Sequence, residues 1–216
     1  NFPDHSKSVN VRYGLGLSYF QLKKYQEAVL NLSRVAADKR CPDVPRVKYF
    51  MGKSLLLTGK YNEAERVLSD GLKALPEALI DSQIKALAQE IERSLSASRI
   101  GRKVNELDLL VRQKKWDLAV KASDALKGKA GAQSLRVSLY GALARYELKQ
   151  FKELVPLLSE LKGDAKGTPY QQESHFLLAE VLREQNKLAD SLSEYEAAAN
   201  LLGAFQAEAL FRSGLI

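Results

Sequence analysis

Cysteine is almost absent from this chain, which has one, Cys41, among 216 residues. A single cysteine excludes an internal disulfide and any cysteine-based metal cluster within the chain. We interpret Cys41 as a small turn residue rather than a reactive thiol, since reactive thiols need electropositive, accessible surroundings. One cysteine fits a reducing cytosol and equally a bacterial periplasmic protein that avoids thiols, so the compartment stays open.

The residues and motifs of catalysis are also scarce. The two histidines, His5 and His175, have no spaced Cys, Asp or Glu set resembling a metal site or a catalytic triad. Neither a GxxxxGK[ST] nor a GxGxxG phosphate loop is present, and the "GLG" at 14–16 is expected within a helix. We therefore predict no catalytic, cofactor-binding or metal-binding residues and expect a protein that is not an enzyme.

Long apolar runs and strand-like alternation are missing as well. No stretch approaches the roughly 18 to 20 consecutive apolar residues of a membrane-spanning helix, and "NFPDHSKSVN" lacks an apolar signal-peptide core. Apolar residues instead recur every three or four positions, as in Val11, Leu15, Tyr19 and Leu22, which predicts an all-α fold. The final "AEALFRSGLI" stops in a helical pattern, so we interpret the chain as a piece of a longer protein.

Two stretches of the chain repeat one another at a distance of thirty-six residues. The stretches are "YGLGLSYFQLKKYQEAVLNLSRV" and "YFMGKSLLLTGKYNEAERVLSDGL", and they pair Gly16 with Gly52, Tyr25 with Tyr61, and Ala28 with Ala64. Three more units follow by register, with Trp116, Phe151 and Leu188 as their turn residues and Ala119 as the small residue of the third. The sequence therefore predicts five helix pairs.

The residue types at these positions have a physical reason. Two helices approach closely only where a side chain is small, so Gly16 and Ala28 allow the helices of a pair to touch. A flat aromatic such as Tyr25 fills the turn between them. Each pair still has an uncovered apolar face, and stacking the next pair buries it.

This pattern resembles the tetratricopeptide repeat (TPR) family, whose unit of about 34 residues is helix, turn, helix. The small residue of the family's first helix is matched by Gly16, Gly52, Ala142, Ala179 and Gly214, whereas Leu107 departs from it; Leu154 and Ser191 are weaker matches to the small residue of the second helix. The resemblance implies a right-handed α-solenoid, a TPR-like superhelix whose concave groove binds a peptide or a partner protein. The phrase "AEALF" is similar to bacterial cell-envelope TPR proteins, which favours a periplasmic location.

The repeats divide the chain into four segments. Residues 1–78 are expected to form the first two pairs, 79–99 a long connecting helix, 100–206 three further pairs, and 207–216 the first helix of a truncated sixth. The connecting helix carries one apolar stripe, made of Leu79, Ile80, Ile84, Leu87, Ile91 and Leu95. It either runs into the first helix of the third unit or packs against it, as a connector and partial cap or as a functional switch.

In the geometry of the family, the first helix of each pair lines the groove. The resemblance therefore nominates Asn10, Tyr13, Leu17, Phe20 and Gln21 in the first unit and Arg46, Tyr49, Lys53 and Leu57 in the second. The alternative is that their apolar members pack against neighbouring helices. Leu17 and Lys53 stand where TPR domains that clamp chaperone carboxylates carry asparagine, so we predict no such clamp.

The net charge of +7 is uneven along the chain. Residues 99–129 hold nine Lys or Arg against four acids, whereas 170–216 hold seven acids against three bases. The basic stretch suits an acidic protein, nucleic acid or an acidic lipid surface, but aromatic residues are not interleaved as single-strand binding needs. The basic patch nominated here is Arg112, Lys114 and Lys115; the alternative is an ordinary solvated helix face.

Overall fold

The computed structural model describes residues 6–41, 43–75 and 82–216, and within them the all-α prediction is confirmed. No strand occurs in these three ranges. The helices are α1 (Ser6–Gln21), α2 (Tyr25–Ala36), α3 (Val44–Leu57), α4 (Tyr61–Lys73), α5 (Ser82–Arg112), α6 (Trp116–Leu126), α7 (Ser134–Glu147), α8 (Phe151–Asp164), α9 (Gln171–Glu184), α10 (Leu188–Ala199) and α11 (Gln206–Ser213), with a 3₁₀ turn at Gly131–Gln133. No helix in the described ranges is long and apolar enough to cross a membrane.

The contacts divide the chain into two compact units, Asn1–Arg102 and Lys103–Ile216. In the first unit, α1 packs on α2, α2 on α3, and α3 on α4. In the second unit, helices α6 to α11 pack in the same consecutive manner. Each unit is thus a stack of antiparallel helix pairs in chain order, which is the α-solenoid architecture that the repeats predict.

Helix α5 contains the boundary between the units and runs without a break through the first helix of the third pair. Ile91 and Leu95 of its stripe are buried against α3 and α4, and Leu87 packs beside them. Leu79 and Ile80 lie outside the described residues, as does the side chain of Ile84. The described part of the stripe therefore covers the apolar face of the second pair.

The small residues lie at helix crossings, as predicted. A Cβ atom at Gly16 would lie 2.7 Å from Leu32, and one at Gly52 would lie 2.5 Å from Leu68. These two contacts repeat at the same spacing of thirty-six residues. In the second helices of the pairs, Ala28, Ala64 and Ala119 are fully buried. The close approach of helices therefore depends on the absence of side-chain bulk at these sites.

The turn aromatics pack where the repeat predicts. The ring of Tyr25 lies 5.8 Å from that of Phe20, measured between centroids. Phe151 has the same separation from Tyr146. Tyr61 lies directly against Gly101 of α5, so a glycine outside the repeats makes room for that ring. Trp116 is half-buried at the start of α6.

Five turns between paired helices share one backbone conformation. The residue before the last of each turn has a positive φ, and these residues are Lys23, Gly59, Lys114, Lys149 and Asn186. At the first turn, the N–H of Lys24 donates to the carbonyl of Tyr19, and the N–H of Lys23 to that of Phe20. The same two bonds recur at the other four turns. Each pair therefore turns through a Schellman motif, although only the second has the usual glycine.

Replacing Lys114 by glycine should raise the free energy of unfolding by about 0.5 to 1 kcal/mol. Lys114 has a φ of 55°, where an L side chain is strained and glycine is not. The matched control is Lys115→Gly, which removes the same charge at a φ of −87°. That control should lower the free energy of unfolding by up to about 1 kcal/mol, because glycine gives the unfolded chain more backbone entropy. Urea unfolding measures both, and equal effects would contradict the strain at Lys114.

Candidate functional site

The first helices of successive pairs are neighbours within each unit. Helix α1 contacts α3 in the first unit, and α7 contacts α9 in the second. We call the surface that these first helices share the inner face of each unit. The predicted groove residues lie on α1 and α3 of the first unit, and they differ in exposure.

On α1, the predicted groove residues divide into exposed and packed side chains. Asn10 and Gln21 are exposed, whereas Tyr13, Leu17 and Phe20 are half-buried. The ring of Phe20 packs between those of Tyr25 and Phe50, at centroid distances of 5.8 and 5.2 Å. Tyr13 packs on the core that α1 shares with α2. Among the predicted groove residues of α1, the exposed polar side chains are therefore those of Asn10 and Gln21.

On α3, Tyr49 and Lys53 are joined by a residue that the sequence interpretation missed. Tyr49 is 8% exposed, and its hydroxyl accepts a hydrogen bond of 2.7 Å from Lys53 Nζ. The same hydroxyl donates at 3.4 Å to Glu90 of α5, which also lies 3.8 Å from the ammonium of Lys53. Glu90 lies outside the repeat register, so no pattern in the sequence indicated it.

The other two groove candidates on α3 take no part in these contacts between Tyr49, Lys53 and Glu90. Arg46 is exposed near the start of α3, where it forms an ion pair of 3.3 Å with Asp43. Leu57 is the last residue of the helix and is 50% exposed. The structure therefore brings together two of the four residues nominated on α3.

The three nominated basic residues are in different electrostatic states. Arg112 is 75% exposed and forms an ion pair of 2.8 Å with Asp108. Tyr140 and Arg136 also donate to Asp108, and these bonds hold the pKa of that carboxyl below its usual range. Lys114 and Lys115 are exposed and have no ion pair within the described residues. The charge available to an acidic partner is therefore that of two adjacent lysines.

The inner face of the second unit contains a cleft of about 450 Å³, which we call the C-terminal cleft. Residues of α7, α9 and α11 and of the loop just before α11 line it. Its lining consists of Leu143, Tyr146, Glu147, Glu173, Phe176, Leu177, Glu180, Ala204, Phe205, Glu208 and Arg212. The rings of Phe176 and Phe205 lie 4.9 Å apart between centroids. The cleft thus combines an aromatic floor with several carboxylates.

Glu180 lies at the base of this cleft and is 6% exposed. It accepts hydrogen bonds from the hydroxyls of Tyr195 and Tyr146 and from the guanidinium of Arg183. Burial alone would raise the pKa of Glu180, but these hydrogen bonds together outweigh it and hold the pKa below its usual value. Glu180 therefore stabilises this side of the cleft through hydrogen bonds that join α7, α9 and α10.

Glu173 differs from Glu180 because its carboxylate has no hydrogen-bond or ion-pair partner among the described residues. Its side chain is half-buried, and burial raises the pKa of its carboxyl. No hydrogen bond or ion pair to Glu173 occurs within the described residues. The sequence interpretation noted the acidic excess of 170–216 but nominated no residue in it. The fifth unit has Leu188 and Ser191 in place of the aromatic and the alanine, so its register gave little guidance.

A second buried polar group lies away from the cleft. His175 Nδ1 is 2.6 Å from Glu194, and Lys162 also donates to Glu194. Burial would raise the pKa of Glu194, but these two partners lower it overall. Each member has a protein partner, so the group joins α8, α9 and α10 as a structural contact. In the described ranges, no three His, Cys, Asp or Glu side chains are grouped to hold a metal ion.

No protein-family model matches the chain, and no curated protein matches it. Among solved structures, MamA from AMB-1 is 19% identical, with 95% of this chain and 98% of that chain covered and a TM-score of 0.45. The TPR2AB domain of yeast Sti1, in a complex with pHSP90, is 14% identical, with coverages of 90% and 91% and a TM-score of 0.38. A Podosopora anserina putative kinesin light chain with TPR-like repeats is 17% identical, with coverages of 90% and 95% and a TM-score of 0.38.

Proposed function

We propose that this chain is a non-catalytic scaffold that holds a peptide or a partner protein on the inner faces of its helix pairs. The observation that carries this proposal is the C-terminal cleft, which is lined by side chains of three successive first helices and by aromatic rings. Binding sites are typically concave and apolar, with a few polar groups that fix orientation. A stack of helix pairs repeats such a surface along its length, which suits an extended partner.

The inner face of the first unit is a second proposed binding surface. There Asn10 and Gln21 are exposed on α1, and Leu57 is half exposed on α3. Lys53 is held by Tyr49 and Glu90, so its ammonium is positioned before any partner binds. A positioned polar group beside an exposed leucine is an arrangement that contributes to protein recognition.

A double substitution on this inner face, Lys53→Ala with Leu57→Ala, should reduce partner capture at least about fivefold, or about 1 kcal/mol. The measurement is affinity capture from a lysate of the source organism, quantified by mass spectrometry. The matched control is Leu30→Ala with Arg34→Ala on α2, because Leu30 is 54% exposed and Arg34 is exposed as well. Both pairs remove one leucine and one cation, but the second lies on an outer helix.

Each outcome of the capture experiment bears on a different part of the proposal. Equal capture by both double variants would remove Lys53 and Leu57 of α3 from the binding surface. A wild-type chain that captures no protein reproducibly would contradict the scaffold function as a whole.

The second candidate function is binding of nucleic acid or an acidic surface through the basic patch. The observation in its favour is that Lys114 and Lys115 are exposed and adjacent. Asp108 offsets Arg112, the third member of the patch, which weakens this candidate. Tight retention of double-stranded DNA or RNA, lost between about 50 and 200 mM salt and absent after reversal of both lysines, would establish it.

A further inference from the structure

The C-terminal cleft has more negative than positive charge. Four carboxylates line it, those of Glu147, Glu173, Glu180 and Glu208, against the single guanidinium of Arg212. That guanidinium is 2.8 Å from Glu208 and 3.7 Å from Glu180. In the part of the chain that the structure describes, Glu147 and Glu173 have no ion pair. Two carboxylates at the cleft are therefore not neutralised by the described part of the chain.

Glu173 is the more consequential of these two carboxylates. Removing a carboxylate from water costs free energy unless a hydrogen bond or an opposite charge compensates. Glu173 is half-buried without either, and burial raises the pKa of its carboxyl. A cationic group that bound beside it would supply the missing partner. A neutral donor would supply a hydrogen bond without the opposite charge, and an anionic group would be repelled.

The aromatic floor favours the same sign of charge. The faces of aromatic rings attract cations, and the attraction grows when water is excluded. Phe176 and Phe205 form a contiguous ring pair in the cleft, with Tyr146 also in its lining. Lysine and arginine side chains have an apolar stem that covers such rings and a charged end that reaches a nearby carboxylate. A simple metal cation has no such stem.

The arrangement of the lining favours a peptide over a small molecule. Residues of α7, α9 and α11 contribute to the cleft in turn, so an extended chain that crosses these helices meets each of them. A cleft of about 450 Å³ accommodates a few side chains rather than a folded domain. The occupant that satisfies charge, rings and size together is a basic peptide segment.

On the basis of the proposed scaffold function, we propose that the C-terminal cleft binds a peptide segment of a partner protein. The segment places a lysine or arginine side chain beside Glu173 and a neighbouring apolar side chain on Phe176 and Phe205. The partner is therefore basic at this site, opposite in charge to a ligand of Lys114 and Lys115.

The test is selection of a phage-displayed random dodecapeptide library on three immobilised chains: the wild type, Glu173→Gln and Glu196→Gln. Glu196 is exposed on α10, outside the cleft, so the second variant controls for the loss of one charge. Peptides selected by the wild type are then titrated with each chain by fluorescence anisotropy.

We expect the wild type and Glu196→Gln to select peptides with a lysine or arginine next to an apolar residue. Glu173→Gln should bind the same peptides about tenfold more weakly, as loss of a close charge pair does. Its thermal stability should be unchanged or higher, because the carboxylate that it removes has no hydrogen-bond or ion-pair partner among the residues that the structure describes. A structural role for Glu173 would instead lower the thermal stability.

Four results would overturn this inference. They are selection of no peptide, selection of acidic or neutral peptides, equal binding by all three chains, and self-association that Glu173→Gln abolishes. The last result would assign the cleft to a second copy of this chain. Partner capture that depends on Lys53 and Leu57 while the peptide selection fails would contradict the basic-peptide proposal alone and keep the scaffold function.

Discussion

Replacing Glu180 by alanine should lower the free energy of unfolding by about 3 kcal/mol, the largest loss that we expect from one substitution in this chain. Glu180 is 6% exposed and accepts from two tyrosine hydroxyls and a guanidinium. Alanine would leave the fully buried hydroxyl of Tyr195 without its acceptor. It would also remove one of the two carboxylates that pair with Arg183, whose remaining pair with Glu184 and partial exposure to water limit the cost.

The matched control is Glu184→Ala, since Glu184 forms an ion pair of 2.9 Å with the same Arg183 but is exposed. An exposed pair contributes little, so this variant should stay within about 0.5 kcal/mol of the wild type. Urea unfolding measures the free energy of unfolding of both variants, and its dependence on urea concentration should be the same as in the wild type. Similar losses from Glu180→Ala and Glu184→Ala would show that the tyrosine hydrogen bonds to Glu180 are unimportant.

The pH dependence of unfolding gives an independent reading of Glu180. Its pKa is lower in the folded chain than in the unfolded one, so its stabilisation is complete above the unfolded pKa of about 4.3. That stabilisation is lost as the pH falls through the folded pKa. Glu180→Gln cannot titrate, so its stability should fall less than that of the wild type between about pH 5 and pH 3.

The first two helix pairs could be predicted from the sequence in detail, because the same contacts are encoded twice. Gly16 meets Leu32 and Gly52 meets Leu68, each sixteen residues along the chain. Small residues are sufficient to predict where two helices cross when a repeat fixes the alignment of the helices. The turns were predictable in position but not in conformation, since Lys23 gives no sign of the positive φ that glycine adopts in the second turn.

The charges of the candidate site could not be predicted, because their partners come from other helices. Lys53 and Glu90 are 37 positions apart, and Asp108 meets Arg136 across 28. Formal charge counts treat Arg112 and Lys114 alike, whereas in the folded chain Arg112 pairs with Asp108 and Lys114 has no ion pair within the described residues. The sign of the charge at a cleft is thus a tertiary property, which is why the acidic cleft was missed.

Periodicity also failed to indicate which helix faces are covered. Val11, Leu15 and Leu22 follow helical spacing on α1 and its following turn, yet all three are exposed. The buried face of α1 includes Val9 and Gly16, which follow a different stripe. A three- and four-residue spacing therefore identifies a helix without identifying its neighbour.

Two glycines of α1, two residues apart, should respond to alanine with opposite signs. Gly16→Ala should lower the free energy of unfolding by about 1 to 2 kcal/mol, because its Cβ would lie 2.7 Å from Cγ and Cδ2 of the fully buried Leu32. The helix α1 would have to move away from α2, or Leu32 would have to leave its packed rotamer. The better helix propensity of alanine offsets only part of this cost.

Gly14→Ala is the control within the same helix. Apart from its chain neighbours and the nearby backbone of its own helix, no atom of the described residues lies within 4 Å of a Cβ at Gly14, so alanine there meets open space. It should raise the free energy of unfolding by about 0.5 to 1 kcal/mol through the lower backbone entropy of its unfolded chain. Urea unfolding of the two variants should therefore place them about 2 kcal/mol apart, on either side of the wild type. Stabilisation by both substitutions would mean that the crossing of α1 and α2 does not depend on close contact at Gly16.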